Sequence, residues 1–107
     1  MKLQDQANKL AEAIKESDEY KAFKNAIAEV EGDKEAEDMV KELKVMQFEI
    51  QRATARGEKI DEEKVRASQE LYHSCIVNPK LANFFQAEFK FTKVMEDIQK
   101  IITSAVE

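Results

Sequence analysis

Apolar residues recur along this chain every three or four positions, and the places where that rhythm breaks divide it into five segments. Leu3, Ala7, Leu10, Ala11 and Ile14 share one helical face and predict a first helix over roughly 2–16. Ser17 interrupts it. Tyr20, Phe23, Ile27 and Val30 follow out of phase. Ser17, with Asp18 and Glu19 behind it, makes an N-cap with acids in the first turn, so a second helix covers roughly 18–31, separate from the first or joined to it by a kink. Gly32 ends that helix and Asp33 caps a third, whose stripe Ala36, Met39/Val40, Leu43, Met46, Ile50 and Ala53 runs until Gly57. After the short link EKI, Asp61 caps a fourth helix with Val65, Ser68, Leu71, Tyr72, Cys75 and Ile76 on one face. Asn78-Pro79 supplies the cap and first-turn proline of a fifth, which meets no breaker before the C-terminus.

The pattern predicts an all-α fold of about five helices in a single domain, residues 1–107. Its two long helices, roughly 34–56 and 79–105, form an extended antiparallel helical bundle. At 1.5 Å per residue the long helices measure roughly 34 and 40 Å, whereas a globule of this mass is about 30 to 35 Å across. Composition agrees: two Gly and one Pro leave little material for turns or strands, and 36% charged residues favour helix.

The fifth helix holds four of the six phenylalanines. Phe84, Phe91, Met95, Ile98 and Ile102 fall on one narrow face and are expected to form a core stripe. Phe85 and Phe89 lie roughly a third of a turn away on one flank, with Val94 and Ile101 on the opposite flank, so the apolar surface is broader than one neighbouring helix covers. Val45 and Phe48 sit opposite the main stripe of the third helix in the same way. These six residues are therefore expected at an interface that buries them by self-association, as a dimer or higher homo-oligomer. The alternative is that Phe85, Phe89 and Phe48 are covered by the first two helices of their own chain.

Charge and cysteine content narrow the function. A net charge of −5 disfavours nonspecific binding to nucleic acid or anionic lipid. No apolar run is long enough for a membrane span, and MKLQDQ lacks the apolar core of a secretory signal, so a cytoplasmic location is expected. The one cysteine, Cys75, excludes an internal disulfide and suits a reducing compartment.

Candidate chemistry is sparse. Glu70 and His73 form an E-x-x-H pair, the spacing used by di-iron carboxylate bundles, but those sites need two such pairs and further glutamates, and both residues lie off the apolar stripe. A metal-dependent enzyme would have to assemble across a dimer. His73 and Cys75 are two apart on a helix, so their side chains diverge by roughly 200° and cannot form a dyad. The clusters Glu35/Glu37/Asp38 and Asp61/Glu62/Glu63 follow helix starts, where negative charge complements the dipole. Glu88 falls within the stripe of Phe84, Phe91 and Met95 and must find a partner or reach the rim. No catalytic, metal or cofactor residue is assigned, and no enzyme activity is expected. Lys41, Lys44, Arg52 and Arg56 surround Val45 and Phe48 on the outer side of the third helix. This basic face could contact a partner protein. With one aromatic and an acidic total charge, direct RNA binding is the weaker reading.

The order of landmarks is familiar: Ser17-x-x-Tyr20-x-x-Phe23, Asp33-x-Glu35-Ala36, Gln47-x-x-x-Gln51 before Gly57, and Phe84-Phe85-Gln86-Ala87-Glu88 opening a long terminal helix. It resembles the YlbF/YmcA/YheA family of small helical bacterial proteins from about Leu3 to Ala105. The resemblance implies a cytosolic, non-enzymatic protein of Gram-positive bacteria that associates with itself, with family relatives or with another regulatory protein. Members are linked to competence, sporulation and biofilm control, some through a complex that adjusts RNase Y and mRNA maturation. Some members carry cysteines, including a C-terminal cluster, associated with an iron–sulfur cluster. This chain ends IITSAVE with only Cys75, so that cofactor is not carried over.

Overall fold

A computed structural model describes all residues, Met1–Glu107. It is all-α, with five helices: α1 (Lys2–Glu16), α2 (Asp18–Glu31), α3 (Lys34–Ala55), α4 (Glu62–Ile76) and α5 (Pro79–Ala105). The long helices expected from the sequence are α3 and α5.

The stops have local causes. At Ser17 the backbone turns extended (φ −68°, ψ 147°), which makes α1 and α2 separate helices. Its hydroxyl donates to the Ile14 carbonyl at 2.6 Å and accepts from the Tyr20 N–H at 3.2 Å, so one side chain closes α1 and opens α2. Asp33 caps α3 by accepting from the Ala36 N–H, and Asp61 caps α4 by accepting from the Glu63 N–H. Gly57, after α3, takes φ +70°, the left-handed conformation that a residue with a Cβ resists. Asn78 caps α5 by accepting from the N–H of Lys80, behind Pro79, which has none to offer.

The chain forms two compact units. In the first, Met1–Ala28 with Phe84–Glu107, the ring of Phe23 on α2 lies 5.8 Å from that of Phe84 and 5.6 Å from that of Phe91, while Tyr20 meets Phe91 at 5.7 Å. These tilted and stacked pairs join α2 to α5 around buried Ala26, Phe84 and Ala87. In the second unit, Glu29–Asn83, α3 packs against α4. Val30, Ala36, Leu43, Ser68, Cys75 and Leu81 are its buried residues.

Burial corrects the expected stripes in three places. Of the face predicted for α5, Phe84 is buried and Phe91 and Ile98 are half-buried, but Met95 and Ile102 are exposed. On α4, Val65, Ser68, Leu71 and Cys75 turn inward while Tyr72 and Ile76 stand at the exposed margin. The stripe of α1 has no buried residue at all. On α4 and α5 the exposed residues are in phase with buried ones, but coverage also requires a neighbour at the same height along the helix.

Candidate functional site

The surfaces that stand out are apolar side chains facing solvent on long helices. On α5, Phe85 is half-buried with its ring edge-on to Phe84 at 5.5 Å, whereas Phe89, one turn on, is 73% exposed. Val94 is half-buried and Ile101 is 70% exposed. The opposite flanks of one helix thus each carry an uncovered apolar residue, and Met95, Ile102 and Val106 are also exposed. Leu3 and Leu10 on α1, in the same unit, are exposed as well. A surface of this kind usually marks an interaction site.

The outer face of α3 is the second. Val45 and Phe48 are 57% and 60% exposed, and Lys41, Lys44, Arg52 and Arg56 around them all face solvent. Steps of three and four, from Lys41 through Val45 and Phe48 to Arg52 and Arg56, keep these residues on one side of the helix. Lys41 pairs with Glu37 at 3.2 Å and Arg56 with Glu58 at 4.0 Å, both in solvent, where such pairs bind weakly.

No chemical constellation comes together. Glu70 and His73 are both exposed on α4, and no group of three or more His, Cys, Asp or Glu side chains converges to hold a metal ion. Cys75 is fully buried; burial raises its thiol above the ordinary value, with the negative charge of Glu42 adding to the effect, so it stays protonated and packs as a small apolar residue. Glu88 is half-buried on α5. No helix is long and apolar enough to cross a membrane.

Sequence reasoning passed over the link after α3, where Lys59 and Ile60 join Arg52 and Lys64 around an open cleft of about 240 Å³. Ile60, an isoleucine inside a polar link, was the available signal: it is half-buried rather than solvated.

Residues 3–107 match the family described as control of competence regulator ComK, YlbF/YmcA. The chain belongs to this family. A UPF0342 protein of Caldicellulosiruptor bescii is 36% identical over 103 residues, covering 96% of this chain and 87% of the relative. One from Staphylococcus saprophyticus is 32% identical over 105 residues, covering 98% and 92%. Among solved structures, the DUF964 protein of Bacillus stearothermophilus superposes with a TM-score of 0.87 at 23% identity, over 99% of this chain and 93% of that one. Bacillus subtilis RicA, solved in complex with RicF, superposes with a TM-score of 0.65 at 23% identity, over 98% and 93%. The YlbF/YmcA assignment makes this chain a member of a regulator family, and the two structures share its all-α fold.

Proposed function

We propose that this protein is a non-enzymatic regulator of the bacterial cytosol that works by protein contact, associating with copies of itself and with related chains or another regulatory protein. The observation that carries this reading is the exposed apolar surface of α5, with Phe89 and Ile101 in solvent on a helix whose other face already has its core partners. Phe85, Phe89, Val94 and Ile101 form the self-association surface. Val45 and Phe48, set among Lys41, Lys44, Arg52 and Arg56, form a second contact face. The structural likeness to RicA, which is found in complex with RicF, supports association with a protein partner. Family membership supports a role of the kind held by YlbF/YmcA regulators, in competence, sporulation, biofilm formation and RNase Y-dependent mRNA maturation. Sedimentation of the wild-type protein against a variant with charged α5 flanks tests the first step: the wild type is oligomeric and the variant monomeric with its helices intact. A wild type that is monomeric at all concentrations removes the self-association reading.

A further inference from the structure

The outer face of α3 does not end at Arg56; it runs into the cleft. The link that follows Gly57 lies along the last turns of α3 and the start of α4, and Ile50, Ala53 and Ile60, all half-buried, are the aliphatic part of a lining whose other residues are all charged. At about 240 Å³ it is smaller than the roughly 300 Å³ at which small-molecule pockets begin, a size suited to one bulky side chain.

Its charges are unevenly committed. Glu49 pairs with Lys64 at 3.9 Å, Glu58 with Arg56 at 4.0 Å, and the Asp61 carboxylate accepts the Glu63 N–H at 2.9 Å. Arg52 and Lys59, on the same rim, are in no ion pair. A chain of net charge −5 thus keeps two cations, Arg52 on α3 and Lys59 on the link, uncommitted beside a cleft with aliphatic residues in it, with the exposed ring of Phe48 one turn of α3 away.

We infer that the outer face of α3 and the cleft at its C-terminal end together form a docking site for an acidic segment of a partner protein. One bulky apolar side chain of that segment enters the cleft, and its carboxylates lie along Arg52, Lys59, Arg56 and Lys41. The long, solvent-exposed pairs Arg56–Glu58 and Lys64–Glu49 contribute little, so an arriving carboxylate replaces them at small loss. An acidic peptide fits better than RNA because Phe48 is the only ring on the face, too few for a stacking platform. Complementary charge of this kind sets partner choice and association rate, while the buried apolar anchor sets lifetime.

The inference rests on the reading that the protein acts by protein contact, but it uses a surface separate from the α5 flanks, so the two fail independently. Lys41 to Arg56 spans roughly 22 Å of helix, which an extended peptide of about seven or eight residues matches. A fluorescent peptide of that length, with a central leucine between glutamates, is titrated with the full-length protein by anisotropy. It is expected to bind in a salt-sensitive manner and to lose about tenfold in affinity when leucine becomes alanine, and as much when the protein carries Arg52→Glu plus Lys59→Glu. Phe48→Ser, which leaves the charge unchanged, also weakens binding. Sedimentation of these variants stays as in the wild type. Absence of binding, equal binding of a lysine peptide, or affinity untouched by the double substitution overturns the proposal. An oligouridylate of matching length that outcompetes the peptide would reassign the face to nucleic acid.

Discussion

Asp33 links the start of α3 to the start of α5: its carboxylate accepts the Ala36 N–H at 3.2 Å and lies 3.4 Å from the Lys80 ammonium. The Ala36 hydrogen bond, with help from Lys80 and against a smaller desolvation effect, holds its pKa below the ordinary 3.8. A folded pKa below the unfolded one means a stabilisation that is present above the unfolded value and disappears as pH falls through the folded one. Asp33→Asn keeps a capping oxygen without the titration. The gap in melting temperature between wild type and Asp33→Asn is therefore expected to close as the pH is lowered from neutral to about 3, measured by thermal circular dichroism. A gap that stays constant would mean the carboxylate's charge has no part in stability. Phe84 and Phe91 make a second comparison. Phe84 is 7% exposed against Phe23, so Phe84→Ala is expected to cost about 3 to 5 kcal/mol in urea unfolding. Phe91, half-buried between Tyr20 and Phe23, costs less when truncated. Equal losses would show that ring contact, not burial, governs both.

Elements here begin and end on single residues, and Gly57 shows what that demands. Its φ of +70° lets the chain leave the helical path of α3, and a Cβ built there meets nothing, so any penalty for substitution is backbone strain and not a clash. Gly57→Ala is expected to cost about 1 to 2 kcal/mol in chemical unfolding, and Gly57→Asn less, since asparagine tolerates this conformation. An alanine variant as stable as wild type would mean the link has relaxed out of the left-handed region. Such relaxation would also reshape the cleft, because Glu58, Lys59 and Ile60 follow directly. Ser17 does comparable work between α1 and α2, with its hydroxyl bonded in both directions. Without it the two apolar stripes, which are out of phase, would belong to one continuous helix and could not face the same neighbours.

For the whole molecule, self-association is the property that the exposed phenylalanines make testable. Phe85→Glu plus Phe89→Glu places two carboxylates on the α5 flank. In water they are tolerated, whereas in a desolvated interface they are not. The variant is expected to keep nearly wild-type helical circular dichroism while sedimenting as monomer. Phe89 carries most of this expectation, being 73% exposed; Phe85 already packs on Phe84, so the single change Phe89→Glu separates the two contributions. Loss of helix together with loss of association would assign these rings to the fold of one chain, and an unchanged oligomer would move the interface to another surface, with that around Phe48 the next to test.

Helix number, limits and caps were legible in the sequence because each depends on a few adjacent residues: Ser17, Asp33, Gly57, Asp61 and Asn78-Pro79 stop or start helices through bonds to their own backbone neighbourhood. The direction of every side chain about its helix followed from the same local geometry, which is why Ala36, Leu43, Cys75 and Phe84 were found where the apolar stripes placed them. Tertiary structure alone decided which apolar residues are covered. Met95 and Ile102 share a face with Phe84 yet stand in solvent, and Phe85 and Phe89 share a flank yet differ in exposure. Periodicity fixes the angle of a side chain, whereas burial depends on whether another helix reaches the same height. The cleft beside Arg52 and Lys59 belongs to that second class, since it exists only where the end of α3, the link and the start of α4 are folded against one another.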